Sequence, residues 1–247
     1  MKKNIPSELL YQVFGLLLAF ILVHSVYVAL VRPAATQHLQ QEAANMASNP
    51  AYITQDSFFV VIKDYEQEAC FVLMLWALSI LAYKGVAARR QDRLLERDLL
   101  QLPEGLPIGI EDMRELSGRV QALPPPQLYY LLPQALLTGI ERFSATRNVQ
   151  SVSTAVRDLC HSEADRLESE LSIIRYIAWA IPSVGFIGTV RGIGDALGQA
   201  HRAVEGDITG VTENLGVAFN STFVALVISI VLMFFIHQLQ LHQERLV

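Results

Sequence analysis

The chain has 247 residues, 52% of them hydrophobic and only 17% charged, with a formal charge of −5 and a mean hydropathy of +0.33. Its acidic balance, with a pI near 5.7, excludes a general nucleic-acid binder, which needs a basic face. Two cysteines, Cys70 and Cys160, make no disulfide framework, and no Cys/His cluster has the spacing of a metal site.

The apolar residues are gathered into blocks, and a bilayer core of about 30 Å needs roughly 20 of them in one helix. Residues 1–10, with Lys2 and Lys3, precede a first block at 11–31 that holds no Asp, Glu, Lys or Arg. A cleaved signal would have an apolar region of about 7–15 residues ending at a small-residue site. This block is longer and runs into Arg32-Pro33, so it reads as a retained first span, with a cleaved signal as the alternative. His24 has no partner in sequence and reads as facing other helices; a proton relay is the sharper alternative. Residues 32–66 read as an outer, periplasmic segment with Pro33, Asn49-Pro50 and the acids Glu42, Asp56, Asp64 and Glu66. The apolar run Phe58 to Ile62 is too short to span.

The second span is predicted at 67–88, where Cys70 reads as a packing residue. Lys84 can extend its stem to the interface, and Arg89, Arg90 and Arg93 follow. Basic flanks are retained in the cytoplasm, which places residues 89–170 there. An even number of crossings then puts Lys2, Lys3 and the C-terminal residues 238–247 on the same side. The cytoplasmic region is interrupted at Pro103, Gly105, Pro107, Gly109 and Pro124-Pro125-Pro126. Beyond Gln127, Leu128, Leu131, Leu132, Ala135, Leu136 and Ile140 recur at helical spacing. An amphipathic stretch, Val152 to Leu159, leads through Glu163, Asp165, Arg166, Glu168 and Glu170 into the third span at 171–198. An outer turn at 199–212 precedes the fourth span at 213–237, in which Leu215 to Ile236 carries no formal charge. The reading is an all-α membrane protein of four transmembrane helices, the last two extended into the cytoplasm.

The third span holds glycines at four-residue spacing, Gly188 with Gly192 and Gly194 with Gly198; in lipid such spacing lets helix backbones approach. No Gly-x-x-x-x-Gly-Lys is present, which excludes a phosphate-binding loop. Pro182, Gly185, Thr189 and Ala196 follow one helical stripe, and Ala218, Thr222, Ala225 and Ser229 another. At a rise of about 1.5 Å per residue, Thr189 and Thr222 both lie roughly 10–14 Å from the outer ends of antiparallel helices. A lone membrane threonine usually returns its hydroxyl to its own backbone. Two at one depth, each on a small-residue face, predict a polar pore lining, with Asn220 and Ser221 adding polarity. Arg191 points about 200° from Thr189 and is expected to meet Asp195 at i+4 or lipid headgroups. No span has a carboxylate at its centre, where a charge costs roughly 2.5–3.5 kcal/mol on insertion scales.

The run Pro182-x-x-Gly-Phe-Ile-Gly-Thr-Val-x-Gly-Ile193 resembles the signature of the MotA/TolQ/ExbB proton-channel family, and Ala218-Phe-Asn-Ser-Thr-Phe-Val-Ala-Leu226 resembles that family's last-helix segment. The resemblance covers about residues 130–240 and is architectural over the first two helices. Four helices with both termini inside look more like the flagellar stator branch than the three-helix TolQ/ExbB branch. The resemblance implies a ring, a homopentamer in the bacterial inner membrane, around two copies of a MotB/TolR/ExbD-like single-helix partner. That partner's membrane aspartate would take and release the proton, facing Thr189 and Thr222, with no cofactor. The transported ion is H+, with Na+ as the alternative.

Two departures from the family pattern stand out. Val217 occupies the place of a TolQ/ExbB glutamate, for which Glu213 is a candidate substitute, and Arg191 stands where the residue is often apolar. They motivate the alternative of a non-conducting scaffold or regulatory subunit. An enzyme is not indicated, for want of HExxH, GxSxG or paired membrane aspartates. The cytoplasmic region bears no resemblance to a flagellar-switch docking region, which weighs against flagellar rotation as the process driven.

Overall fold

The computed structural model describes residues 7–49, 57–100 and 109–247. Lys2, Lys3, Pro50, Asp56, Pro103, Gly105 and Pro107 lie outside the described residues. In chain order the structure contains α1 (Ser7–Val26), a five-residue π turn (Tyr27–Val31), α2 (Arg32–Ser48), α3 (Phe58–Val61), α4 (Tyr65–Leu95) and α5 (Ile110–Gln121). There follow α6 (Pro125–Leu128), α7 (Leu131–Thr146), α8 (Val149–Glu170), α9 (Ser172–Gly198), α10 (Ala200–Val204) and α11 (Thr209–Glu244). Among the described residues, four stretches are long and apolar enough to cross a membrane: Leu10–Ser48, Tyr65–Leu95, Val149–Gly198 and Thr209–Glu244. The protein is a multi-pass, all-helical membrane protein. Its chain divides into two compact units, 1–81 with 173–236 and 82–172 with 237–247.

In the first unit, helix continues beyond Arg32 through Ser48 instead of giving way to an irregular polar segment. Pro33 does not stop it: the helix runs on from the π turn at Tyr27–Val31 directly before it, whose wider closure loosens the ladder that a proline ring would otherwise strike. The π turn before it alters which faces the flanking residues occupy. An unbroken α-helix would turn Arg32 about 80° away from His24; the wider closure of a π turn reduces that offset.

The buried residues of this unit include Cys70, Ala77 and Ile80 of α4, Ile174, Ile177 and Ile181 of α9, and Ala218, Ala225 and Leu232 of α11. Large apolar side chains such as Phe14, Phe186, Ile187, Phe219, Phe223 and Ile230 are exposed. In water such a surface would be a liability; against lipid or neighbouring helices it is the expected exterior. Cys70 is fully buried, with its thiol 3.7 Å from the Ile181 carbonyl oxygen, and packs as its sequence context suggests.

The second unit holds an antiparallel hairpin of α7 and α8. Arg147 takes the left-handed conformation, φ 53°, that ends α7. The Asn148 side chain then starts α8 by accepting from the Gln150 N–H at 2.8 Å, the preferred chemistry of an N-cap. Gly139 faces α8, where a Cβ would meet Val152 Cγ1 at an ordinary contact distance of 3.6 Å. Lys84 does not extend into solvent: only 5% of its side chain is exposed, and its ammonium donates to Glu170 Oε2 at 2.9 Å. Glu170 also accepts from Arg166 at 2.8 Å.

A buried charge that loses its partner is strongly destabilising, whereas an exposed pair contributes little. Glu170→Ala, which takes one partner from the buried Lys84 ammonium, is expected to destabilise by about 2 kcal/mol. Glu163→Ala, which removes the other carboxylate on Arg166, should cost no more than about 1 kcal/mol. Thermal unfolding in detergent measures the difference.

Candidate functional site

The antiparallel helices α9 and α11 meet along a seam of small residues. A methyl group on Gly185 would overlap Ala225 Cβ and lie 3.0 Å from the Ser221 carbonyl oxygen. One on Gly188 would lie 2.5 Å from Ser221 Cβ, and one on Gly192 would lie 2.7 Å from the Asn214 carbonyl oxygen. These three glycines let the backbones touch. Gly194 and Gly198 face open space, so the second half of the glycine pattern does not pack within the chain.

Close approach brings hydroxyls within reach of the opposite backbone. Thr189 Oγ1 donates to the Ala218 carbonyl at 2.9 Å. Thr222 Oγ1 lies 3.2 Å from the Gly185 carbonyl, and the two hydroxyls hydrogen-bond each other. Further along, Ser229 Oγ donates to the Ala178 carbonyl at 3.1 Å. The common depth expected of Thr189 and Thr222 is thus realised as a direct bond. Of the other stripe residues, Gly185, Ala218, Ser221 and Ala225 are buried between the helices, while Pro182, Thr189, Thr222 and Ser229 are half-buried along its flank. Asn220 stands apart, about 160° around α11 from Thr222.

A second set of polar contacts radiates from three consecutive residues at the start of α4. Successive side chains on a helix point about 100° apart, so Glu66, Gln67 and Glu68 address three directions. Glu66 receives a bidentate pair from Arg191 of α9, Nε to Oε1 at 2.7 Å and Nη2 to Oε2 at 2.9 Å. Gln67, fully buried, donates to the Val61 carbonyl at 3.2 Å and lies 3.4 Å from Ser221 Oγ of α11. Glu68, with 8% of its side chain exposed, meets His24 Nδ1 of α1 at 2.7 Å and bonds Arg32 of α2 through its other oxygen. Arg32 in turn lies 4.5 Å from the centre of the Tyr65 ring.

Sequence reasoning left His24 without a partner and sent Arg191 toward Asp195; the structure gives them Glu68 and Glu66. Arg191 does approach Asp195, but only to 3.7 Å. Glu213 is exposed, one turn of α11 before Val217, whose carbonyl accepts from Ser221 Oγ at 2.7 Å. The available signal for the missed residues was the acids themselves, since ionisable groups at the edge of a span need partners.

This geometry defines a polytopic membrane protein whose last two spans enclose a hydroxyl-bearing seam. The model of the MotA/TolQ/ExbB proton channel family matches residues 131–247, which contain that seam and the whole of α7 to α11. The match places residues 131–247 in the MotA/TolQ/ExbB proton channel family. Comparison with curated proteins and with solved structures gives no match.

Two expectations follow from the packing. Gly185→Val should destabilise by about 1–3 kcal/mol through overpacking, whereas Gly194→Ala should be neutral or stabilising by up to about 1 kcal/mol, since helix propensity alone is at stake. Melting temperatures in detergent decide this. For the ion pair, a double-mutant cycle with Arg191→Ala and Glu66→Ala should return a coupling of about 1 kcal/mol, discounted because Arg191 is 44% exposed. Arg191→Lys, lacking the planar fork, should recover less than half of it.

Proposed function

We propose that this chain is the ring-forming subunit of a proton-driven motor in the bacterial inner membrane. Five copies would enclose two copies of a single-helix partner whose membrane aspartate carries the proton. The observation that most supports this reading is the Thr189–Thr222 pair, lying on the half-buried flank of the α9–α11 seam with no acid among the described residues bonded to it. The carboxylates nearest in the contact network, Glu66 and Glu68, are already paired with cations. A ring built from this chain therefore offers hydroxyls and leaves the titrating acid to a partner.

The chemistry suits that role. A threonine hydroxyl both donates and accepts, so the pair can bond a carboxylate or a carboxylic acid with only a rotation of O–H groups. Each proton crossing the membrane supplies about 2.3 kcal/mol per 100 mV, which the ring would convert into movement of the partner. The arginines at the far end of α4 favour a cytoplasmic location for that end, with both termini on the same side. Sodium is the alternative ion, because hydroxyl and carbonyl oxygens also suit hard cations.

A second reading, a non-conducting scaffold or regulator, draws support from Val217 and from the closure of the seam by bonds internal to the chain. Vesicles containing the chain with its co-expressed partner separate the two. Under an imposed potential, wild type should pass protons above the lipid background. Thr189→Val and Thr222→Val should each reduce that flux at least tenfold, a loss of about 1.4 kcal/mol or more, while the assembly keeps its size and Thr→Ser variants keep most of the flux. Undiminished flux in both valine variants would remove the threonines from the pathway, and absence of any wild-type flux would favour the scaffold. Replacing the proton gradient with a sodium gradient tests the ion.

A further inference from the structure

We infer that an arginine-lined cleft beyond the second span binds the phosphate of an anionic membrane lipid. Arg90 and Arg93 of α4, with Arg97 just beyond its end, line a cleft of about 300 Å³ together with Gln127 and Tyr130, walled by residues of the Pro124-Pro125-Pro126 turn. Arg90 and Arg93, at i and i+3, stand about 60° apart on α4. Among the described residues no carboxylate lines the cleft. Asp92, on the same helix, is turned roughly 130° from the middle of that arc.

A run of basic residues after a span commonly does no more than orient the helix. Two observations take this cluster further. First, Arg32, Arg119, Arg166 and Arg191 each meet a carboxylate, whereas among the described residues Arg90, Arg93 and Arg97 form no ion pair. Second, the three exposed arginines line one concavity that also has a phenol, Tyr130, and an amide, Gln127, in its wall. A guanidinium fork matches phosphate oxygens in a bidentate manner, and the neutral donors of Tyr130 and Gln127 complete an anion site.

Position along α4 selects the source of the phosphate. Counted from Ala88, the end of the expected span, Arg90 and Arg93 lie roughly 3 and 8 Å along the helix. The headgroup layer is about 5–8 Å deep on each side of the hydrocarbon. Two of the arginines therefore stand at headgroup level, and Arg97 reaches past it. Basic pockets in this position recognise anionic headgroups.

The full-length protein in mild detergent provides the test, titrated with short-chain phosphatidylglycerol, with phosphatidylcholine of equal chain length, and with inorganic phosphate. Thermal unfolding reports binding, and native mass spectrometry counts retained lipid. Phosphatidylglycerol should raise the unfolding temperature and remain bound; phosphatidylcholine should do neither. Combined Arg90→Gln, Arg93→Gln and Arg97→Gln should weaken the apparent affinity roughly a hundredfold, about fivefold per arginine. A control of equal charge, Arg114→Gln with Arg157→Gln and Arg245→Gln, should stay within about twofold. Equal losses in the two triple variants would reduce the effect to general surface charge and overturn the site. Stabilisation by inorganic phosphate without stabilisation by phosphatidylglycerol would overturn the lipid assignment. Should the triple variant not fold, Arg93→Gln alone must still weaken binding several-fold, and Arg93→Lys must fall between it and wild type.

Discussion

Close approach of α9 and α11 is the constraint from which the rest of the first unit follows. Between helices in a bilayer, lipid tails are as apolar as leucine, so association has no hydrophobic drive and depends on packing and interhelical hydrogen bonds. Both terms require short distances. Gly185, Gly188 and Gly192 provide them by leaving no atom where a methyl group would strike Ala225, Ser221, Asn214 or Ala218. Only at that separation can Thr189, Thr222 and Ser229 reach carbonyls of the facing helix. The hydroxyl bonds are thus a consequence of the glycines, and bulkier residues there would push the threonines out of range.

The other organising element is α4, which connects this seam to the first helix through Glu66, Gln67 and Glu68. Charged groups near a bilayer persist where each finds a partner, and these residues illustrate how little sequence that takes. Three adjacent positions, turned by the helix itself, reach Arg191, Ser221, and the pair His24 and Arg32. The π turn contributes by bringing His24 and Arg32, eight residues apart, to the two oxygens of a single carboxylate.

Much of this was legible in the sequence, for reasons that also mark its limit. Block length and flanking charge revealed four spans, and residue periodicity revealed the small-residue faces. Counting rise from the outer ends set Thr189 and Thr222 at one depth, and they bond each other. All of these are relations within one helix or between antiparallel neighbours. His24 with Glu68, 44 residues apart, and Arg191 with Glu66, 125 apart, depend on which helices are adjacent and how each is rotated. Periodicity within a helix carries neither piece of information. Asn220 was grouped with Thr222 by nearness in sequence, although two residues along a helix amount to about 200° of rotation.

The placement of charge bears directly on what the seam can do. Glu66 and Glu68, at one end of α4, are held in pairs with Arg191, Arg32 and His24, while the contact of Thr189 with Thr222 is made of hydroxyls and carbonyls. Thr189 can donate to Ala218 or to Thr222, and Thr222 to Gly185 or to Thr189. In each arrangement both hydroxyl protons are used, and the hydroxyl oxygens retain acceptor capacity. Such a pair switches between hydrogen-bond arrangements without breaking a salt bridge or exposing a buried charge. A fixed carboxylate at the same place would bring its own desolvation cost and would need a permanent cation beside it. A neutral hydroxyl pair can bond a titrating group in either protonation state, and its neutrality follows from the absence of a charged side chain among the residues that form it.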